Sequence, residues 1–126
     1  MRLLLDSHIF VWWSAGDQRL GPRAEKMLLA PDVELFISAA SWWELAVKQA
    51  IGKLRLNIPE TRRSLEQRGV TGIPVTIAHA EQAGALPALH GDPFDHMLVA
   101  QALCEGLVLL TRDKSLKRYG TPVLCT

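Results

Sequence analysis

Residues 91–102 read GDPFDHMLVAQA, and this stretch predicts the start of a long helix. Asp92 suits the N-cap, because its carboxylate can accept a hydrogen bond from a free backbone N–H of the first turn. Pro93 suits the first helical position, where no N–H is needed. Asp95 falls in the first turn, near the positive end of the helix dipole. We therefore expect a helix over residues 93–105.

Short apolar runs alternate with helical patterns along the chain. The runs that predict buried strands are residues 2–5, 33–37 and 107–110, with weaker candidates at 72–75 and 122–124. The segments between them favour helices, at residues 7–15, 22–30, 38–51, 59–68, 77–86 and 114–119. Continuous apolar strands that alternate with helices are typical of a parallel sheet covered on both faces. The sequence thus predicts an α/β fold, a three-layer α/β/α sandwich with a small parallel sheet, in a single domain over residues 1–126.

Composition excludes few classes of function. The 126 residues are 48% hydrophobic and 21% charged, with a formal net charge of +1. These values fit a soluble globular protein, and the charge indicates neither a protein that coats nucleic acid nor an acidic tail. Cys104 and Cys125 show neither metal-binding nor disulfide-scaffold spacing, and Cys104 is expected to be a buried thiol. No stretch resembles a signal peptide or approaches membrane-spanning length, so no membrane is expected as a partner and the cytoplasm is the expected location.

Acidic residues from separate segments are predicted to meet at one edge of the sheet, because ligands of open α/β sheets bind at the carboxyl ends of the strands. They follow strands or begin helices beside strand ends, at Asp6, Glu44, Asp92, Asp95 and Asp113. Each has a simpler explanation. Asp6 and Asp113 could cap the helices after them, and Ser41 with Glu44 matches a capping box.

Electrostatics argues that such a group of acids binds a cation. Two carboxylates about 4 Å apart repel each other by roughly 4 kcal/mol at an effective dielectric constant near 20. Oxygen ligands without cysteine or clustered histidine favour Mg²⁺ or Mn²⁺. Such a site polarises a phosphoryl oxygen and activates water.

Four segments together resemble the signature sequences of PIN-domain proteins, and most closely those of the VapC toxins of toxin–antitoxin pairs. In order along the chain they are Asp6-Ser7-His8, Ser41-Trp42-Trp43-Glu44-Leu45, residues 92–102, and Thr111-Arg112-Asp113. The resemblance covers essentially the whole chain. The segment at residues 92–102 and the Ser-Trp-Trp-Glu-Leu segment are specific, whereas Thr-x-Asp alone would be weak.

The resemblance implies a metal-dependent endoribonuclease that hydrolyses RNA phosphodiester bonds with metal-activated water. It implies Mg²⁺ or Mn²⁺ as cofactor, with Asp6, Glu44 and Asp95 as core ligands. Asp113 would be the fourth acid, ligating directly or through water, and Thr111 would support the site with its hydroxyl. In this family the acid that precedes the Leu-Val-Ala-Gln-Ala run, here Asp95, takes the metal, which leaves Asp92 as the helix cap.

The resemblance also implies partners. These are a cognate antitoxin, an RNA substrate, a second copy of the chain in a homodimer, and operator DNA reached only through the antitoxin. One alternative is a catalytically silent PIN-like scaffold that only binds an antitoxin. A phospho-acceptor signalling domain is a poorer fit, because Ser38 rather than an aspartate follows the second strand.

A few positions depart from the family pattern or keep an open role. Ser7 stands where threonine is common and keeps the hydroxyl, and His96 stands where arginine is common. Arg112 and Lys114 flank Asp113 and are candidates for phosphate contact, as His96 is for contact with the substrate. His8 is interpreted as a substrate contact or a structural residue, and Lys48 as an RNA contact or a solvated side chain. Of the adjacent Trp12 and Trp13, one is expected in the core and the other at an interface, and His79 and His90 are expected at the surface.

Overall fold

The computed structural model of the chain describes residues 1–87 and 91–126. In these residues, five strands form one sheet: β1 (Arg2–Leu5), β2 (Glu34–Ser38), β3 (Thr71–Ile73), β4 (Val108–Thr111) and β5 (Val123–Cys125). Six α-helices of the same described ranges connect them: α1 (Ser7–Ala15), α2 (Pro22–Leu28), α3 (Ala39–Ala50), α4 (Ile58–Gln67), α5 (Ile77–Ala85) and α6 (Pro93–Glu105). Two 3₁₀ segments, Gln18–Leu20 and Lys114–Tyr119, complete the described elements.

The sheet is parallel throughout, with strand order β3-β2-β1-β4-β5. β1 is central, and its leucines pair with both neighbours: Leu4 lies opposite Phe36 of β2 and Leu109 of β4. The predicted α/β fold with a small parallel sheet is confirmed. The weak strand that proline was expected to confine to an edge is β3, which is an edge strand.

Two hydrophobic cores lie on opposite faces of the sheet, because successive side chains of a strand point to opposite faces. Leu3 and Leu5 pack into the core that α1, α2, α3 and α4 cover, and Leu4 packs into the other core with Leu98 and Val99 of α6. All three β1 leucines are fully buried, and each contributes roughly 1.5–3 kcal/mol by its burial. The continuous apolar run of β1 is therefore explained by helices on both sides of it.

Two predictions about single side chains were wrong. Cys104 is exposed, as is its neighbour Leu103, because the buried part of α6 ends at Ala102, before the last turn. His79, expected at the surface, is 1% exposed. His90 lies outside the described residues.

His79 joins α5 to α6. The Thr76 N–H donates to His79 Nδ1 at 3.0 Å, and the Thr76 hydroxyl accepts from the His79 N–H at 3.2 Å, so the two residues form a capping box. Because Nδ1 accepts, the ring proton is on Nε2, which donates to Glu105 Oε1 at 2.7 Å.

None of the helices within residues 1–87 and 91–126 has both the length and the apolar composition that crossing a membrane requires.

We expect His79→Leu to lower the free energy of unfolding by about 1–3 kcal/mol, because it leaves the Thr76 amide without its acceptor. Urea unfolding monitored by circular dichroism measures this loss. His8→Leu is the matched control, since His8 is exposed and surface substitutions usually change stability by less than about 0.5 kcal/mol. Equal losses in the two variants would contradict the buried role of His79.

Candidate active site

The order of the strands places a crevice between β1 and β4. From β1 the chain passes to β2 and β3 on one side of the sheet, and it then returns to β4 and β5 on the other side. Ligands of such sheets bind outside the carboxyl ends of the strands at this switch point. A cleft of ≈ 450 Å³ lies there, lined by Asp6, His8, Trp12, Glu44, Lys48, Asp92, Asp95, Arg112 and Asp113.

Asp6 occupies the N-cap position of α1, but its side chain makes no capping hydrogen bond to the described residues. Its Oδ2 instead accepts a 2.6 Å hydrogen bond from Thr111 Oγ1 at the end of β4, and its Oδ1 accepts from Ser7 Oγ at 3.4 Å. Asp6 is 4% exposed. The capping explanation of Asp6 is therefore wrong, and its carboxylate is held at the cleft by two hydroxyl groups.

Glu44 lies in the second turn of α3, which begins at Ala39. Ser38 is the N-cap and accepts from the Ala40 N–H, whereas Ser41 Oγ has no hydrogen-bond partner among the described residues. The capping box predicted for Ser41 and Glu44 is therefore wrong. Glu44 is 5% exposed, with Oε2 3.1 Å from Lys48 Nζ and with no described hydrogen-bond partner at Oε1.

Asp92 and Asp95 have different positions at the start of α6. Asp92 Oδ1 accepts from the Phe94 N–H at 2.8 Å and from the Asp95 N–H at 3.3 Å. The predicted N-cap at Asp92 is therefore confirmed, as is the helix over residues 93–105. Asp95 is one turn further on and 8% exposed, and its side chain lines the cleft.

Asp113 both caps a helix and lines the cleft. Its Oδ1 accepts from the Ser115 N–H at 2.9 Å and from Ser115 Oγ at 2.6 Å, so it caps the second 3₁₀ segment. Its own N–H donates to Thr111 Oγ1 at 3.0 Å. The Thr111 hydroxyl therefore connects two of the acids.

The acids at the cleft are the type of ligand that a divalent cation prefers, but their arrangement fits such an ion less well. No group of three or more His, Cys, Asp or Glu side chains in residues 1–87 and 91–126 is arranged to hold a metal ion. The Lys48 ammonium lies against Glu44 and offsets part of the negative charge. However, buried carboxylates from three elements and the unpartnered Glu44 Oε1 are the hard oxygen donors that Mg²⁺ and Mn²⁺ prefer.

The predicted substrate contacts divide into one residue at the cleft and two elsewhere. Arg112 lines the cleft, but Lys114 and His96 are not among the described residues that line it. The His96 ring lies 5.9 Å from that of Tyr119, and its buried Nε2 has no partner in the described part of the chain. Lys114 is exposed at the start of the second 3₁₀ segment.

Three residues whose roles the sequence left open also line the cleft: His8, Trp12 and Lys48. A signal for them was present, because His8 and Trp12, like Glu44 and Lys48, are four residues apart on a helix. Side chains at this spacing lie on one face of a helix. Spacing alone could not decide which face of a helix meets the cleft, however, since Phe10, four positions beyond Asp6, lies in the core.

The model of the PIN domain family matches residues 3–122. The chain belongs to the PIN-domain family, as its four motifs indicated. It is 37% identical over 123 residues to Ribonuclease VapC22 of Mycobacterium tuberculosis, a match that covers 95% of this chain and 93% of that protein.

Solved structures share the fold across the whole chain. VapBC2 from Rickettsia felis, bound to a DNA fragment from its promoter, matches with a TM-score of 0.70 at 18% identity and covers 100% of this chain and 98% of that one. A toxin–antitoxin complex from Klebsiella pneumoniae matches with a TM-score of 0.70 at 22% identity and covers 97% and 95%. At these identities the two structures show a common fold.

We expect Asp92→Ala to destabilise the protein by about 0.5–2 kcal/mol, because two N–H groups of α6 lose their acceptor. Asp92→Asn keeps a capping oxygen and should stay within a few tenths of a kcal/mol of the wild type. Guanidinium unfolding of the three proteins measures the difference. An Asn variant as unstable as the Ala variant would mean that Asp92 acts through its charge and not as a cap.

Proposed function

We propose that this chain is a metal-dependent endoribonuclease and the toxin of a toxin–antitoxin pair. The observation that carries the proposal is the group of three buried carboxylates, Asp6, Glu44 and Asp95, which reach one cleft from three separate elements. Buried acids are costly without a compensating charge. The similarity to a ribonuclease and to toxin–antitoxin structures supports both parts of the proposal.

Asp6, Glu44 and Asp95 are the proposed ligands of Mg²⁺ or Mn²⁺, with Asp113 as a fourth acid. When bound, the ion supplies an activated water and offsets the charge that develops on the scissile phosphate. The Thr111 hydroxyl orients Asp6 by donating to Oδ2, and Ser7 contacts Oδ1. Because the cleft is acidic, the RNA phosphates also need the cations that line it, Lys48 and Arg112.

Replacement of a proposed ligand tests this assignment. We expect Asp6→Asn, Glu44→Gln and Asp95→Asn each to lower Mn²⁺-dependent RNA cleavage at least about 100-fold, since the ion supplies several kcal/mol of charge stabilisation. Calorimetric titration with Mn²⁺ should show weaker binding in the same three variants.

Asp92→Asn is the matched control, because it makes the same change in an acid of the same cleft that caps a helix. It should keep near wild-type cleavage and Mn²⁺ affinity. Full cleavage by Asp6→Asn or Asp95→Asn would show that the ligands are wrongly assigned. A folded wild-type protein that cuts no RNA with Mn²⁺ would favour the scaffold alternative.

The proposed protein partners are an antitoxin and a second copy of the chain. Large apolar side chains at the surface support a protein partner. Trp43 on α3 is 65% exposed, Ile51 directly after α3 is 61% exposed with Val47 between them, and Ile77 at the start of α5 is 81% exposed.

Light scattering of the purified chain should therefore give the mass of two chains. The antitoxin encoded beside it should suppress RNA cleavage when added to the purified chain, and it should suppress growth inhibition when both are expressed in the same cells. A monomer at micromolar concentration would contradict the homodimer. Cleavage that persists with saturating antitoxin would contradict the pairing.

A further inference from the structure

We call the acidic residues that line the cleft its acidic floor. One wall of the cleft differs from this floor in chemistry. The wall is formed by Trp12 and His8 of α1 together with Arg112, which follows β4. We call these three residues the Trp12 wall. Trp12 is half-buried and packs partly against the core, and it is the only large apolar side chain among the described residues that line the cleft.

Aromatic and cationic groups surround the indole of Trp12. The His8 ring centroid lies 5.5 Å from that of Trp12, with the ring planes tilted by 41°. The guanidinium carbons of Arg19 and Arg112 lie 5.3 and 5.8 Å from the Trp12 ring centroid. Both distances are within the range of cation–π attraction. The wall therefore combines an aromatic surface with positive charge.

Interactions outside the wall hold it in place. Arg112 Nη1 donates to the backbone carbonyls of Arg19 and Leu20, which fixes the first 3₁₀ segment against the end of β4. Arg19 in turn donates to both carboxylate oxygens of Asp17, and this pair lowers the pKa of Asp17. Because these bonds already fix Arg112 beside the indole, binding of a ligand there costs little side-chain conformational entropy.

We propose that the Trp12 wall is a nucleotide subsite, in which Trp12 stacks on a base of single-stranded RNA and Arg112 and His8 lie toward the adjoining phosphate. The inference rests on the proposed function and adds how the substrate is held. An acidic floor repels phosphate, whereas every base has a face that can stack on an aromatic ring. Stacking on one wall lets RNA bind beside the floor without sequence-specific contacts.

Trp13 provides a matched comparison within the same helix. It is also half-buried and packs against the same core, with the Arg68 guanidinium carbon 4.9 Å from its ring centroid. It lines two other grooves, and the acidic cleft is lined by Trp12 instead. The two residues therefore share packing and a neighbouring arginine, and they differ in access to the acids.

The test measures binding of fluorescein-labelled oligoadenylate by anisotropy, at fixed low salt, once in EDTA and once in Ca²⁺. We expect Trp12→Leu to weaken binding by about 5- to 150-fold, the range that base–aromatic stacking gives. Trp12→Phe should keep most of the affinity, and Trp13→Leu should bind like the wild type. Equal affinity of Trp12→Leu and Trp13→Leu in both buffers would overturn the proposal.

An abasic oligonucleotide of the same length separates stacking from a structural role, because it keeps the phosphates and lacks the bases. The wild type should bind it more weakly than oligoadenylate, and Trp12→Leu should weaken its binding no further. An equal loss for both oligonucleotides would show that Trp12 only supports the fold. If Trp12→Leu does not fold, the wild-type comparison decides, since equal affinity for both oligonucleotides overturns stacking.

These binding measurements test the nucleotide subsite separately from the cleavage measurements that test the proposed function. Wild-type protein that cleaves RNA but does not distinguish intact from abasic RNA contradicts the subsite and leaves the nuclease assignment standing. Protein that distinguishes the two oligonucleotides but shows no metal-dependent cleavage supports the subsite and contradicts the nuclease.

Discussion

The hydrogen bond from Thr111 Oγ1 to Asp6 Oδ2 joins the ends of the two central strands at the switch point of the sheet. A helix N-cap is typically worth about 0.5–2 kcal/mol, and α1 forgoes that bond at its N-cap residue. A hydrogen bond to a charged group contributes roughly 1.5–3 kcal/mol. The contact across the sheet can therefore outweigh the local cap, and it keeps the Asp6 carboxylate at the cleft.

The cleft tolerates several acids because most of them have a donor of their own. Asp6 accepts from hydroxyls, Asp92 and Asp113 accept from backbone N–H groups at helix starts, and Glu44 has Lys48 beside one oxygen. Helix N-termini also carry partial positive charge, which favours a carboxylate in the first turn such as Asp95. Asp92 and Asp113 thus cap helices, whereas Asp6, Glu44 and Asp95 are the buried acids of the cleft. These three are the proposed core metal ligands.

Local sequence predicted the fold and the start of α6, and it failed where the deciding partner is distant. The roles of Asp92 and Asp95 could be separated because a cap depends on residues two and three positions away. Thr111, which donates to Asp6 Oδ2, is 105 residues distant, so no local pattern could reject capping there. His79 on an alanine-rich helix looked solvent-exposed because its acceptor, Glu105, follows 26 residues later on another helix.

The tripeptide Thr111-Arg112-Asp113, which begins at the last residue of β4, explains why the floor and the wall of the cleft have a fixed relation. Thr111 holds Asp6, Arg112 holds the first 3₁₀ segment and lies beside Trp12, and Asp113 caps the second 3₁₀ segment. Successive residues of a strand point to opposite sides, so a slip of one residue in the pairing of β4 would turn Thr111 away from Asp6. The pairing of Leu5 with Leu110 prevents such a slip, because both leucines are fully buried in the same core. The hydrophobic register of the central strands therefore sets the geometry of the polar cleft.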